Sequence, residues 1–304
     1  MTVIKPMLAE TGEATDLNRK DFIYEQKLDG VRCIAILDSQ TVLQARSGSD
    51  ITHKFLELKE LQKQVSKPCI LDGEIVGVDF NAIQHRIHQE KPLAIRIAQT
   101  QYPAIYFVFD ILFLDHDSVK AKPLIERKTI LNSVFAQSYY ARFLSWQTGY
   151  GQSLFDQAKE RSLEGIMAKY MYSPYLEGKR SDSWLKVKNF KEATYLICGV
   201  TEGENERGST FGSLILGERV DGKLVYVGNC GSGLTQDQLK MLLYLLEPMK
   251  GLCPFTRADV GRPVKFWTRP ELQCEVRYLE LSPDRKLRFP TFRKLIGGKK
   301  WEAK

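Results

Sequence analysis

The stretch Lys27-Leu28-Asp29-Gly30-Val31-Arg32 directly follows Phe22-Ile23-Tyr24-Glu25-Gln26, and the two together are the most informative part of the chain. The first five residues have the composition of a β-strand. Asp-Gly is typical of tight turns, so we expect a hairpin with a second strand returning after Lys27. This arrangement would place the Lys27 amine at a strand end beside Arg32, suited to attack on a phosphorus atom. Alone, the pattern is also an ordinary hairpin.

The composition indicates a globular chain with more than one domain. Its 304 residues are 43% hydrophobic, enough to form substantial cores, and the length favours two domains. No apolar run approaches the roughly 20 residues that cross a bilayer, and residues 1–7 lack the continuous apolar segment of a signal peptide. We therefore expect a cytoplasmic protein without a membrane partner, and a monomer.

The spacing of the cysteines and histidines and the net charge of the chain limit the kinds of site that it can contain. The six cysteines include no Cys-x-x-Cys pair, which argues against a zinc ribbon and a disulfide framework. His85 and His88 stand at helical spacing but without a further ligand nearby, so no metal is expected there. The net charge is +7, and residues 191–304 hold 19 Lys and Arg against 14 Asp and Glu. A modest positive field is compatible with a polyanionic partner.

Hydrophobic patterns predict strands and helices mixed in the first part of the chain. The first three strands should form an antiparallel meander. The predicted strands are Phe22–Lys27, Val31–Leu37, Thr41–Arg46, Ile70–Val76, Ile105–Leu112, Gly165–Tyr170 and Trp184–Lys188, and the predicted helices are about Phe55–Val65, Asn81–His88, Pro123–Phe135 and Gln152–Arg161.

A second domain is predicted from about residue 191, where strands dominate. One helix there has a clear start, because Thr235 and Gln238 form a capping box before a leucine stripe. One helix with five strands indicates a small barrel of the oligonucleotide-binding type. We therefore expect an α+β protein with domains 1–190 and 191–304. The predicted strands are Thr194–Thr201, Ser213–Val220, Lys223–Asn229, Val264–Trp267 and Cys274–Leu281.

Further motifs follow the lysine in a fixed order. In that order they resemble the nucleotidyltransferase motifs of ATP-dependent DNA ligases, over nearly the whole chain. The motifs are Arg46-Ser47-Gly48, Asp72-Gly73-Glu74, Phe107-Val108-Phe109-Asp110, Glu164-Gly165-Ile166-Met167-Ala168-Lys169, Trp184-Leu185-Lys186-Val187-Lys188 and Arg288-Phe289-Pro290.

Finer marks resemble the ligase modules of bacterial end-joining enzymes. The family implies an adenylation domain with antiparallel sheets and helices, followed by an oligonucleotide-binding barrel. It also implies nicked duplex DNA as the partner and, for end-joining enzymes, possible help from a Ku-like protein. The marks are Pro6-Met7-Leu8-Ala9, Ser173-Pro174-Tyr175, Gly178-Lys179-Arg180-Ser181 and Val227-Gly228-Asn229-Cys230-Gly231-Ser232-Gly233.

The resemblance also implies roles for side chains. Lys27 would attack the α-phosphorus of ATP and become lysyl-AMP. Lys186 and Lys188 alternate along a predicted strand, so they share a face and could neutralise phosphate oxygens in the transition state. Glu164 and Glu74 would hold Mg²⁺, for which Mn²⁺ could substitute. The implied nucleotide-binding residues are Glu25, Arg32, Arg46, Glu74, Phe109, Lys169, Lys186 and Lys188.

Several of these residues could instead have a purely structural role. Phe107 and Phe109 alternate as core aromatics do in any buried strand, and the arginines and Glu74 could form surface ion pairs. Five further cations, on the loop before Trp184 and in the predicted barrel, are candidates for DNA phosphate contacts, which carry no base specificity. They are Lys179, Arg180, Arg207, Arg285 and Arg288.

The end of the chain departs from the family pattern. Where the family commonly has Arg, an acidic residue, Asp and Lys, this sequence reads Ile296-Gly297-Gly298-Lys299. In the family this segment orients the β- and γ-phosphates, so the usual contacts of the first step are in doubt. Arg293, Lys294 or Lys300 could substitute.

Three other functions are compatible with parts of the pattern. An RNA ligase or an mRNA-capping guanylyltransferase shares the lysine motif and the two-lysine strand but differs in nucleotide or acceptor. A DNA-binding protein without catalysis would explain the altered terminal segment. An NAD-dependent ligase fits least, since the sequence has no four-cysteine zinc site.

Overall fold

The computed structural model describes residues 3–282 and 284–296. The chain divides into two compact units, Met1–Asn189 and Phe190–Lys304. The described strands of the first unit are β1 (Leu8–Thr11), β2 (Phe22–Gln26), β3 (Val31–Leu37), β4 (Thr41–Ala45), β5 (Cys69–Val76), β6 (Ile105–Leu114), β7 (Asp117–Ser118), β8 (Ala141–Phe143), β9 (Trp146–Thr148), β10 (Gly165–Tyr170) and β11 (Arg180–Lys188), and its α-helices are α1 (Phe80–Ile87), α2 (Pro92–Gln101), α3 (Leu124–Val134) and α4 (Gln152–Glu160).

The strands of the first unit form two sheets. The first sheet has the order β1-β11-β10-β2-β9, and the second has the order β4-β3-β5-β6-β7, with β8 paired to β6. Pairing is antiparallel except for β1 with β11 and β6 with β8. The mixture of largely antiparallel sheets with separate helices confirms the predicted α+β class.

The predicted meander of three strands is wrong, because β2 and β3 belong to different sheets. β2 pairs with β10 and β9, and the Lys27 amide continues the ladder by donating to the Gly165 carbonyl at 2.9 Å. β3 pairs instead with β4 and β5. The Asp-Gly turn is therefore a crossover between sheets. Local turn chemistry marks the change of direction but does not choose the strand that pairs next.

Gly30 allows this crossover to lie close to β5. A Cβ atom added to Gly30 would contact the Ile75 carbonyl oxygen and would lie 3.1 Å from Glu74 Cγ. Only a residue without a side chain permits such an approach of two backbones.

Two apolar cores flank the first sheet. On one side, α4 contributes Phe155 and Ala158 to a cluster with Phe22, Tyr24 and Ile166 of β2 and β10. On the other side, the two sheets meet across a second cluster. That cluster contains Ile4, Met7, Ile34, Phe109, Leu112, Leu144, Tyr175 and Trp184.

The outer side of the second sheet carries the largest core, and here one predicted helix is wrong. Residues 55–65 form short 3₁₀ turns instead of an α-helix, at Leu56–Leu58 and Leu61–Gln64. The buried residues Phe55, Leu58 and Leu61 recur every three positions, which matches the three-residue turn of a 3₁₀ helix. α2 was not predicted, although Pro92 at its first turn is a recognised start signal.

The second unit is a barrel. Successive pairing joins β12 to β13, β13 to β14, β17 to β12 and β17 to β18, and a bridge between Ser232 and Thr291 connects the end of β14 with β18. Its described elements are β12 (Lys191–Thr201), β13 (Leu214–Val220), β14 (Lys223–Cys230), α5 (Gln236–Leu246), β15 (Lys250–Gly251), β16 (Val264–Thr268), β17 (Gln273–Tyr278) and β18 (Thr291–Ile296).

This pairing closes five strands in the order β12-β13-β14-β18-β17, with α5 between β14 and β17 in the chain. A five-stranded barrel of this kind is an oligonucleotide-binding fold. The predicted capping box of α5 is confirmed, since Gln238 N donates to Thr235 Oγ1 at 3.2 Å and Thr235 N donates to Gln238 Oε1 at 2.9 Å. β15 and β18 were not predicted.

None of the helices in the described residues is both long and apolar enough to span a membrane.

The close approach at Gly30 gives a stability prediction. Gly30→Ala should destabilise the first unit by about 1–3 kcal/mol, because the added methyl group overlaps the β5 backbone. Thermal unfolding followed by circular dichroism measures the change. Gly251→Ala is the control, since its new Cβ would have its nearest neighbour at 3.6 Å. Equal melting temperatures for Gly30→Ala and wild type would contradict the crossover geometry.

Candidate active site

A pocket opens between the two sheets of the first unit. The pocket is lined by Glu25, Gln26, Lys27, Leu28, Arg32, Glu74, Phe109, Leu144, Met167, Lys169 and Trp184. Six of the predicted site residues are thus brought together, although they lie on five different strands or strand ends.

The first sheet supplies the lysines through its register. Glu25 of β2, Met167 of β10 and Lys186 of β11 stand opposite one another, and Lys188 stands opposite Gly165. Residues two apart along a strand share a face, so Lys186 and Lys188 point to the same side of the sheet as Glu25. Lys27, which extends β2, joins this face.

Glu164 connects the predicted nucleophile to the two-lysine strand. Its carboxylate accepts a hydrogen bond from Lys27 Nζ and lies 3.1 Å from Lys188 Nζ, and the side chain is only 9% exposed. Burial, followed by the nearby cations Arg180, Lys188 and Lys27, lowers the pKa of Lys186. The site therefore gathers several positive charges around one carboxylate, as suits binding of a polyphosphate.

Arg32 is fixed by an acidic residue that sequence reasoning missed as a site residue. Asp72 is fully buried and accepts from Arg32 Nε and Nη2, each at 2.6 Å. It also accepts from the Tyr175 hydroxyl at 2.6 Å. Although burial opposes the charge, Asp72 raises the pKa of Arg32. The guanidinium lies 4.6 Å from the Phe109 ring centre, so Asp72 orients a permanently charged group at the pocket wall.

Glu74 stands opposite Arg32 on β5. Burial raises its pKa to about 7, against the opposing effect of Arg32 and Lys27. Within the described residues its carboxylate makes no side-chain hydrogen bond, in contrast to Asp72. A partly buried carboxylate without a hydrogen-bonding partner carries a desolvation cost, and a cation would reduce that cost.

The opposite end of the pocket holds buried charges around Phe109. Glu25 is fully buried, accepts from Lys128 Nζ and lies 2.6 Å from Lys169 Nζ. Burial alone would raise the pKa of Glu25, but the two lysines lower it overall. The Lys169 ammonium lies 4.1 Å from the ring centres of Phe109 and Trp184. Lys128, on α3, was not among the predicted site residues.

The predicted metal residues fit a divalent cation held partly by substrate. Among the described residues, no group of three or more potential ligands forms a ready-made metal cluster. Mg²⁺, however, is commonly held by one or two carboxylates together with substrate phosphates and water. Glu164 and Glu74 influence each other electrostatically beside Lys27 and supply two such carboxylates.

Several predicted residues lie away from the pocket. Arg46 is exposed in the turn after β4 and does not line it. Lys179 and Arg180 are exposed at the start of β11, where Arg180 donates to the Ala9 carbonyl. Their roles stay predictions.

The barrel arginines all have protein partners. Arg207 Nη1 donates to the carbonyls of Gly212 and Gly231, each at 2.7 Å. Arg285 pairs with Glu218 at 2.9 Å and Arg288 with Glu280 at 2.5 Å. Arg207 therefore supports the barrel loops itself, and any DNA contact would use its other donors.

The atypical segment falls largely outside the described residues. Of Ile296-Gly297-Gly298-Lys299, only Ile296 is described, and Lys300 is not. The proposed substitutes Arg293 and Lys294 lie 3.6 Å from Glu192 and 3.2 Å from Glu275.

Comparison with known proteins identifies the family. A model of the ATP dependent DNA ligase domain matches residues 6–188, and a model of the ATP dependent DNA ligase C terminal region matches residues 207–296.

The chain belongs to the ATP-dependent DNA ligase family.

Comparisons with individual ligases support this family assignment. The chain is 31% identical over 303 residues to the multifunctional non-homologous end joining protein LigD of Mycolicibacterium smegmatis, covering 95% of this chain and 38% of LigD. It is 32% identical over 301 residues to DNA ligase C1 of the same organism, covering 92% and 84%. The ligase domain of M. tuberculosis LigD has a TM-score of 0.54 at 27% identity, with 98% and 96% coverage.

The predicted resemblance to ATP-dependent ligases and to the LigD ligase module is therefore confirmed, as is the two-part fold that the family implies. The chain spans little more than a third of the LigD protein that it matches, and most of DNA ligase C1.

The raised pKa of Glu74 gives a pH-dependent stability prediction. The folded protein keeps this proton up to about pH 7, whereas the unfolded chain releases it near 4.5. The stabilisation from Glu74 protonation is thus complete below pH 4.5 and is lost as the pH rises to about 7. Without metal or nucleotide, Glu74→Gln should raise the free energy of unfolding at pH 8, by up to about 3 kcal/mol.

Thermal unfolding of both proteins at pH 4.5 and pH 8 measures this difference. The exposed Glu160 provides the control substitution Glu160→Gln, which should behave like wild type at both pH values. A Glu74→Gln effect that is the same at both pH values would show that the carboxyl does not titrate in this range.

Proposed function

We propose that this protein seals nicks in duplex DNA, joining a 5′-phosphate to a 3′-hydroxyl at the expense of ATP through a covalent lysyl-AMP. The observation that carries the proposal is the position of Lys27 at a pocket lined by charged and aromatic side chains, on the same sheet face as Lys186 and Lys188. Family membership supplies ATP and DNA ligation as the chemistry that this arrangement serves.

In the first step, the neutral amine of Lys27 attacks the α-phosphorus of ATP. A bond forms between Nζ and phosphorus, the bond to the β-phosphate oxygen breaks, and pyrophosphate leaves with the electron pair. Lys27 loses a proton in becoming the phosphoramidate. Lys186 and Lys188 would stabilise the charge that develops on the phosphate oxygens.

Two further transfers complete sealing. A 5′-phosphate oxygen of the nick attacks the AMP phosphorus, and the lysine nitrogen leaves and takes a proton. The 3′-hydroxyl then loses its proton and attacks the 5′-phosphorus, and AMP leaves. Positioning and charge neutralisation carry most of the catalysis in such phosphoryl transfers.

The metal proposed for these steps is Mg²⁺, with Mn²⁺ as a substitute. A bound divalent cation neutralises phosphate charge. Glu164 would provide a ligand and Glu74 a second, which would give the partly buried Glu74 carboxylate a cationic partner. Glu164 would then exchange its contacts with Lys27 and Lys188 for the metal and so release both amines toward the phosphates.

Binding of nicked DNA is proposed to use charge alone. Residues 1–190 would act as the adenylation domain and residues 191–304 as the oligonucleotide-binding domain. Phosphate contacts by Lys179 and Arg180, and by the barrel cations Arg207, Arg285 and Arg288, would suit a sealer that accepts any sequence. The match to end-joining LigD proteins motivates DNA repair as the setting and a Ku-like protein as a possible partner.

The central prediction concerns the adduct. Wild type incubated with ATP and Mg²⁺ should gain about 329 Da, the AMP residue, on the peptide that contains Lys27. Lys27→Ala and Lys27→Arg should gain nothing and should not seal a nicked duplex. Intact-protein and peptide mass spectrometry measure the increment, and Lys20→Ala, an exposed position just before β2, is the matched control.

The same assay separates the alternatives. Labelling by GTP but not ATP would falsify the ligase proposal in favour of a guanylyltransferase, and sealing of RNA ends alone would favour an RNA ligase. Absence of any Lys27-dependent adduct in wild type would favour the DNA-binding protein without catalysis.

A salt titration tests the DNA contacts. Binding of nicked duplex should weaken steeply with salt, and the double variant Lys179→Ala/Arg180→Ala should reduce the slope of log affinity against log salt by about 1–2. Fluorescence anisotropy between low and physiological ionic strength measures both slopes. Lys59→Ala/Lys63→Ala, at exposed positions on the outer side of the second sheet, is the control. An unchanged slope for the first pair would remove these residues from the DNA contact.

A further inference from the structure

We propose that Lys128 is a positioning residue for the base end of the pocket. Its buried ammonium, anchored on the Phe109 backbone, holds the Glu25 carboxylate charged and oriented toward the nucleobase of the donor nucleotide. The inference rests on the proposed function, since it requires a nucleotide in the pocket.

Lys128 connects the two sheets behind the pocket wall. Its ammonium donates to Glu25 of the first sheet and, at 3.0 Å, to the carbonyl of Phe109 in the second sheet. Both partners line the pocket, whereas Lys128 itself lies behind them and is only 6% exposed. One buried cation thus fixes the spacing between the carboxylate and the aromatic ring that are expected to meet the base.

The preceding residue makes Lys128 a rigid support. Arg127 is fully buried and donates from Nε and Nη2 to Asp110, each at 2.8 Å. Its Nη1 donates to the carbonyls of Lys122 and Ser173 at 2.6 and 2.9 Å. Arg127 therefore ties α3 to β6 one residue before Lys128, which fixes the backbone from which the Lys128 side chain extends.

Glu25 needs this support because it has no contact with water. A fully buried carboxylate without cations would take up a proton. The charged groups around it are Lys128 from α3 and Lys169 from β10, with Asp110 of β6 acting on Lys169. Burial lowers the pKa of Lys169 to about 8, so its charge is the less secure of the two.

The carboxylate retains capacity for a further donor. Glu25 Oε2 lies 2.6 Å from Lys169 Nζ but is without a hydrogen bond of ordinary geometry, and it is buried at the pocket. A carboxylate oxygen has two acceptor directions. An N–H group of a nucleobase, such as the 6-amino group of adenine, can therefore complete the set.

Lys128→Met tests the role while keeping most of the side-chain volume. In single-turnover adenylation, the ATP concentration for half-maximal rate should rise about tenfold, whereas the maximal rate should change less than about threefold. Wild type should prefer ATP over purine riboside triphosphate, which lacks the 6-amino group, and the variant should lose this preference. Lys128→Arg should restore part of both properties.

The dependence on pH separates this role from simple packing. As the pH falls from 8 to 6, the half-saturating ATP concentration should rise more in Lys128→Met than in wild type, because Glu25 with only the Lys169 cation beside it takes up a proton more readily. In Glu25→Gln the second change Lys128→Met should add little, since its target is gone. Lys122→Met, half exposed just before α3, is the control.

The outcomes separate this inference from the proposed function. Unchanged ATP half-saturation in Lys128→Met, or full additivity with Glu25→Gln, overturns the role of Lys128 while wild-type adenylation still stands. Absence of wild-type adenylation overturns both. If Lys128→Met does not fold by circular dichroism, the double variant, which removes both charges, is compared with Glu25→Gln alone; a further tenfold weakening there also overturns the role.

Discussion

The crossover from β2 to β3 is the constraint on which the rest of the structure depends. It carries the chain from one sheet to the other directly after Lys27, so Lys27 and Arg32 lie on two walls of one pocket instead of side by side on a hairpin. The crossover requires Gly30 to pass against the β5 backbone. Glu74 on β5 and Lys169 on β10 are then placed by the register of these strands with β3 and β2.

Charged groups between the two sheets are held in pairs, which explains how a pocket so rich in charge can belong to a folded core. Arg32 with Asp72, Arg127 with Asp110 and Lys128 with Glu25 each have a carboxylate that is fully buried. Such pairs add little net stability compared with apolar residues, but removing one partner costs about 3–5 kcal/mol. The arrangement therefore favours orientation over stability, which is what phosphoryl transfer requires of its binding groups.

The sequence predicted local features such as element bounds and a helix cap, but it did not predict which strands pair with one another. The bounds of β3 and β10 and the cap of α5 follow from composition, alternation and capping, and they were predicted closely. The predicted meander was wrong because the Asp29-Gly30 turn does not determine which strand pairs with β2.

Long-range contacts explain the missed site residues. Asp72 and Lys128 reach the pocket through partners 40 and 103 residues away, at Arg32 and Glu25. Asp72 stands in the Asp72-Gly73-Glu74 motif but was given no role there, and Lys128 occupies an ordinary helical position after Arg127. The sequence feature that could have identified Asp72 is its position two residues before Glu74, on the same face of β5.

The two carboxylates near Lys27 differ in a way that bears on the order of events. Glu164 already pairs with Lys27 and Lys188, whereas the partly buried Glu74 has its pKa raised to about 7. To bind a cation that arrives with a polyphosphate, Glu164 would have to lose its contacts with Lys27 and Lys188, and Glu74 would have to lose a proton. Both exchanges would favour the charged complex only when metal and phosphate arrive together, because either alone would leave a charge unbalanced in the partly buried site. Under the proposed metal role, Lys27 and Lys188 would balance the Glu164 carboxylate until a metal replaced them there, and both lysines would then be available to phosphate.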